Sequence, residues 1–145
     1  MTHLALARDS LAFLCAVQGV ATLAIDLSRT HATNPLWAAH ARFHVVWQTA
    51  NVTMLALLQL ALILVAGPYQ EQRFYLAAIL ASIPMFGFMA ALISRKTFGG
   101  ALSDPNGIQP LKLQVSGRTV RVDLNVAAVI GGLLALGAIL AIYRG

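Results

Sequence analysis

The sequence predicts an all-α membrane protein, a four-transmembrane-helix bundle with a short β-hairpin in the loop between helices 3 and 4. Composition carries the first half of this reading. Hydrophobic residues are 59% of the 145 positions and charged residues only 10%, against about a quarter charged in a soluble domain. Mean hydropathy is +0.75. Distribution carries the second half, because the apolar residues gather in four stretches, each long enough to cross a hydrocarbon core of about 30 Å. Little chain is left for a separate soluble unit, so residues 1–145 read as a single transmembrane domain. A formal charge of +5 would suggest nucleic acid for a soluble protein, but in a bilayer the placement of charge reports orientation first. Nucleic acid is discounted as a partner, and the lipid bilayer takes its place.

The first stretch, residues 10–27, follows Arg8-Asp9 and contains Gln18, Thr22 and Asp26. It has no small-residue cleavage site and reads as a retained helix. Cys15, the one cysteine, has no disulfide partner. Helix 2 is expected over residues 35–66, opened by Asn34-Pro35, where Asn caps free amides and Pro fills the first helical position, and closed by Gly67-Pro68. At 1.5 Å per residue it is roughly 48 Å long, so its first turns extend beyond the hydrocarbon. Helix 3, residues 74–93, contains Pro84 and Gly87, which allow a kink. Helix 4, residues 124–143, places Ala127, Gly131 and Ala135 four apart, the spacing of a packing face used within the bundle or in a homo-oligomer. Asp123 and Asn125 before it read as helix-capping residues.

The connection between helices 3 and 4 has two signals. Asp104-Pro-Asn-Gly107 is a turn, and Leu111-Lys-Leu-Gln-Val115 and Arg118-Thr-Val-Arg-Val122 alternate apolar and polar residues around Ser116-Gly117. That pattern predicts the hairpin. A lone hairpin is marginal in water, so it is expected to rest on the helix ends, as a lid, or on the membrane surface.

Four crossings put the end of helix 1, the start of helix 2, the end of helix 3, the hairpin and the start of helix 4 on one side. That side holds Arg29, Arg42, Arg95, Lys96, Lys112, Arg118 and Arg121, the other only Arg8, Arg73 and Arg144. Positive residues favour the cytoplasm, which makes this a multi-pass cell-membrane protein with its arginine-rich face inside. Trp37, Phe43 and Trp47 mark one interface and Tyr69, Phe74, Tyr75 and Tyr143 the other.

Reactive residues concentrate at the arginine-rich face. His40, His44, Gln48 and Asn51 share one side of helix 2, while Gln18, Thr22 and Asp26 recur every four positions on helix 1. Polar groups in hydrocarbon are costly unless they face protein or water, so the two lines are expected to face each other as a funnel narrowing toward Gln59. Three readings fit. His31, His40, His44 and Asp26 form a ligand set suited to iron or zinc. Without metal, Asp26 orients an imidazole as an acid/base, and Arg42 or Arg29 binds an anionic or carbonyl oxygen, which makes His40, His44, Asp26, His31 and Arg42 the catalytic candidates. In the third, Asp26 pairs with Arg29 or Arg42 and the aromatic residues only anchor the interface. Gln18, Thr22, Asn34, Trp37, Trp47, Gln48 and Asn51 are the candidate ligand-pocket residues. There is no phosphate-binding loop, nucleophile elbow, CxxC pair or His-Glu-x-x-His motif, which removes most hydrolase and nucleotide-dependent classes.

The run Asp26, His31, Asn34-Pro35, Trp37 and His40-Ala-Arg-Phe-His44, with the Asp-Pro-Asn-Gly loop and the Asp-x-Asn before helix 4, resembles the signature of an uncharacterised family of small four-helix membrane proteins. The resemblance covers nearly the whole chain and implies the fold and the weight of the motif, but no activity. The architecture is also similar, at the level of fold alone, to the four-helix sterol-isomerase and sigma-receptor type, whose paired intramembrane carboxylates this chain lacks. Together these readings lead to an expected polar pocket at one membrane face, under a hairpin lid, that binds and transforms a lipophilic small molecule. The alternative is a non-catalytic transport or assembly subunit in which the same residues hold helices or a partner.

Overall fold

A computed structural model describes residues 2–145. It contains α1 (His3–Asp26), α2 (Ala39–Leu64), α3 (Gln70–Ser94), a 3₁₀ turn (Arg95–Phe98), β1 (Leu111–Val115), β2 (Arg118–Val122) and α4 (Leu124–Arg144). All four α-helices are long and apolar enough to span a membrane. The chain is thus a multi-pass membrane bundle with one antiparallel hairpin between α3 and α4. In the ring of helices α1 lies beside α2 and α4, α3 lies beside the same two, and α1 and α3 stand diagonally.

Three helix starts differ from the sequence expectation, α3 by opening at Gln70 rather than residue 74. α1 begins at His3 because Thr2 caps it, its hydroxyl accepting from the Ala5 amide at 3.3 Å. Arg8 and Asp9, which look like an interruption in sequence, pair with each other at 3.1 Å on the exposed surface of the helix. α2 begins at Ala39 rather than residue 35. Asn34 caps a turn instead of the helix: its side-chain oxygen accepts from the Leu36 amide at 3.0 Å, and Trp37 N–H donates to the Asn34 carbonyl at 3.3 Å. Residues 27–38 are therefore a run of tight turns. At its other end α2 stops at Leu64, and the Ala61 carbonyl accepts both from the Val65 amide at 3.1 Å and from Arg73 at 3.0 Å.

The packed core occupies the half of the bundle near the chain termini. Ala7, Leu11 and Cys15 of α1, Ile63 of α2, Phe74, Ala77 and Ala81 of α3, and Leu136 and Ile139 of α4 are buried there. Phe74 stacks on Tyr143 with centroids 3.8 Å apart, and Tyr75 meets the same ring edge-on at 5.5 Å, which ties the start of α3 to the end of α4. The expected packing stripe on α4 is not used inside the bundle. Ala127, Gly131 and Ala135 are exposed, while Leu136 and Ile139 face the core and Gly132 lies against Met85. The most apolar positions, rather than the smallest, set which side of this helix turns inward.

The hairpin forms in the expected register, Leu111 opposite Val122 and Val115 opposite Arg118. Its Ser116-Gly117 turn has φ of 49° and 76°, the two positive values that suit a two-residue hairpin loop.

α1 and α2 pack closely at Gly19, where a Cβ would sit 2.8 Å from the Ala56 Cβ. Only glycine allows that approach. Gly19→Ala is expected to lower stability in detergent by about 1–3 kcal/mol through overpacking. Adding Ala56→Gly should restore most of the loss in a thermal unfolding series, and a Gly19→Ala protein as stable as wild type would contradict the contact.

Candidate functional site

The other half of the bundle is hollow. A partly open cavity of about 470 Å³ lies between all four helices at the end where α1 finishes and α4 begins. Its wall is mostly apolar, including Leu14, Val17, Ile25, Val52, Met85 and Phe88, and is crossed by Gln18, Thr22, Asp26, His31, Gln48 and Asn125. Small side chains leave the space: Ala21 on α1 and Ala128 and Gly132 on α4 fill little volume. Pro84 of α3 also lines it and has no N–H for the preceding helical turn.

The α1 line is assembled as expected. Gln18, Thr22 and Asp26 follow one another along the wall. The Gln18 amide donates to the Ala81 carbonyl of α3 at 3.3 Å, and the Thr22 hydroxyl donates back to the Gln18 carbonyl at 2.8 Å. Asp26 has no cationic partner, since the ion pair among the described residues is Arg8–Asp9. Pairing of Asp26 with Arg29 or Arg42 is therefore corrected. Its one side-chain hydrogen bond among the described residues is with the Thr49 hydroxyl of α2 at 3.3 Å. That hydroxyl has a single proton and lies closer, 2.7 Å, to the Val45 carbonyl, so the Asp26 carboxylate is left with most of its acceptor capacity unused.

His31 reaches the same cavity from the turn segment. Ser28, Thr30 and His31 form a short relay, with 2.7 Å between the two hydroxyls and 2.8 Å from Thr30 Oγ1 to His31 Nδ1. The ring meets Trp37 edge-on at 5.1 Å. Nδ1 is thereby engaged, and Nε2 has no hydrogen-bond partner among the described residues.

The α2 line is not where the spacing put it. Thr49, Ala56, Gln59 and Ile63 are the buried face of α2, whereas His40, His44, Trp47, Gln48 and Asn51 are exposed. Helix geometry explains this, since at about 100° per residue His44 is turned roughly 140° and His40 roughly 180° away from Thr49. Of that line only Gln48 borders the cavity. His40 and His44 instead bond each other, Nε2 to Nε2 at 3.0 Å, and His44 joins Phe43 and Trp47 in an aromatic cluster. The expected ligand set of His31, His40, His44 and Asp26 is not gathered. Among the described residues no three His, Cys, Asp or Glu side chains converge as metal ligands. Arg42, Trp47 and Asn51 do not line the cavity either.

Three further placements matter. Gln59 is fully buried with no partner for its amide and Trp37 Nε1 is likewise unpaired, but neither lines the cavity, so the expected funnel toward Gln59 is not formed. Asn34, 3% exposed, donates to the Asn106 carbonyl at 2.9 Å and holds the Asp104–Gly107 turn over the segment that carries His31. That turn packs on the 27–38 segment, whereas every hairpin residue from Leu111 to Arg121 is exposed, and neither the turn nor the hairpin lines the cavity, so the expected hairpin lid is corrected. Thr49 was not singled out by sequence for this site, and Asn125, which could join the funnel or cap α4, was read as a cap. Asp123 does cap α4, accepting from Asn125 and Val126 at 2.9 and 3.1 Å, which turns the neighbouring Asn125 to the wall.

Asn34→Ala removes the donor to Asn106 and the acceptor for Leu36, each worth about 1–3 kcal/mol if its partner stays buried. Amide exchange across residues 104–108 should quicken while the amides of α3 stay protected; unchanged exchange there would show that Asn34 does not hold the turn. No protein-family model, curated protein or solved structure matches this chain.

Proposed function

We propose that this protein binds a lipophilic small molecule inside its bundle, in the cavity between Gln18 and Asn125. The supporting observation is the cavity itself. Its volume of about 470 Å³ falls within the range of about 300–1,000 Å³ common for small-molecule sites, and a mostly apolar wall with a few convergent polar groups is the usual make-up of such sites. The polar groups are graded along it. Gln18 and Thr22 lie deeper along α1, while Asp26 and His31 lie at its end. The unused acceptor capacity of Asp26 suits a ligand whose polar end donates a hydrogen bond, with the apolar remainder toward Leu14, Val17 and Met85.

Asp26 and His31 are the ionisable side chains on the wall, so any proton transfer within it falls to them. His40, His44 and Arg42 stand outside and take no part in this reading. In this reading the protein sits in the cell membrane with its arginine-rich face in the cytoplasm, and lipid-soluble molecules reach the cavity laterally from the bilayer. Membership of the uncharacterised four-helix family is part of the same proposal, because the Asp26–His44 motif builds the turn segment that carries His31. A non-catalytic subunit remains the competing reading, and the outward polar stripe of His40, His44 and Asn51 favours it as a surface for another chain.

Ala128 lies on the wall without being buried, so Ala128→Phe should fill the cavity with little strain. Protein purified in mild detergent and extracted with organic solvent is expected to release a lipophilic compound near one per chain from wild type, reduced at least tenfold in Ala128→Phe, with the two proteins equally stable to heat once both are stripped of ligand. Identical extracts from both proteins would remove the binding proposal in favour of the subunit reading.

A further inference from the structure

We infer that the β1–β2 hairpin is a membrane-surface anchor: its apolar face lies in the interfacial layer of the bilayer and its cationic face binds the phosphates of anionic lipids. The register sorts its side chains into two faces. Leu111, Leu113 and Val115 of β1 share one side with Val122, Val120 and Arg118 of β2, an apolar face with a single cation at its turn end, where a long side chain can reach phosphate level. Lys112 pairs across the strands with Arg121, and Gln114 with Thr119, on the other. A 2.8 Å hydrogen bond from Gln114 Nε2 to Thr119 Oγ1 confirms that these two share a face.

Neither face is satisfied by the protein. Leu111, Leu113 and Val120 are 49%, 42% and 44% exposed, so no helix end covers them. Directly opposed Lys112 and Arg121 repel each other, and no acidic residue lies between Ile108 and Val122 to offset them. An apolar surface backed by uncompensated positive charge is complementary to an anionic lipid interface, where apolar side chains reach the acyl boundary and Lys and Arg remain at phosphate level.

Covalent connection places the hairpin at that interface. Val122 ends β2, Asp123 caps the next helix, and Leu124 begins the membrane-spanning α4. One residue separates the sheet from the span, so the strands have little freedom to leave the lipid surface. The same tether limits the entropy lost on docking, which lets a small hairpin, marginal in water, hold its structure there.

The test uses the full chain in nanodiscs, with Cys15→Ala as background and single cysteines carrying nitroxide labels at Leu113, Val120, Gln114 or Thr119. Power saturation compares oxygen, which concentrates in lipid, with a water-soluble nickel chelate. In phosphatidylglycerol-containing discs, positions 113 and 120 are expected to favour oxygen and positions 114 and 119 the chelate. In pure phosphatidylcholine the contrast should fall, and Lys112→Gln or Arg121→Gln should weaken the anionic-lipid preference about fivefold each. Chelate access at all four positions would place the hairpin in water and overturn the inference. Protection of 113 and 120 from both reagents, independent of lipid, would mean that a second copy covers the face and would overturn it equally. Oxygen preference without any response to phosphatidylglycerol would remove the anionic-lipid assignment.

Discussion

The seam between α1 and α2 sets the positions of everything else. Lipid gives no hydrogen bonds, so the polar side chains of these two helices must meet protein or line an enclosed space. They are the least apolar of the four, with mean hydropathy of 1.4 and 1.5 against 2.2 and 2.4 for α3 and α4. Gly19 against Ala56 fixes how closely and in what register they meet, and that register brings the end of α1 level with Thr49, well inside α2. The first ten residues of α2 consequently extend past the end of α1. Turns 27–38 fold into the step this creates, and Asn34 draws the Asp104–Gly107 turn down over it.

Close packing and open space are divided between the two halves of the bundle. Near the termini, aromatic stacking and close-packed Ala, Leu and Ile give a dense core. Toward the arginine-rich face, Ala21, Ala128 and Gly132 withhold volume, and Asp26 stands on a mostly apolar wall with no Lys or Arg ion pair. A half-buried carboxylate in such surroundings costs stability unless something else repays it. The packed half tolerates that cost, and a hydrogen-bond donor arriving in the cavity is the natural compensation.

Much of the fold was legible in the residues, and the failures have definite causes. Four apolar runs and an alternating hairpin around Ser116-Gly117 are strong local signals, and both were realised. The α1 line of Gln18, Thr22 and Asp26 was legible because it is the only polar stripe on that helix. On α2 two polar faces compete. His40, His44, Gln48 and Asn51 form the more conspicuous one, yet burial follows Thr49, Ala56, Gln59 and Ile63, whose small or apolar members fit against Gly19. Threonine bonds its own helix through the Val45 carbonyl and so carries little polar signal in sequence. Asn34-Pro35 misled for a related reason, since the same side-chain oxygen that caps a helix also closes a turn, and only the tertiary contact to Asn106 decides between them. The α4 stripe of Ala127, Gly131 and Ala135 shows that small-residue spacing permits close packing without requiring it within one chain.

The central claim is that Asp26 is kept for a ligand and not for the bundle. The most direct measurement is the thermal unfolding of Asp26→Asn and wild type, both stripped of lipophilic compounds by extensive detergent exchange. Asparagine keeps the shape and an acceptor for Thr49 while removing the uncompensated charge, so the variant should unfold at the same or a higher temperature. A fall of several degrees would mean that the carboxylate holds the helices together, and would contradict the account.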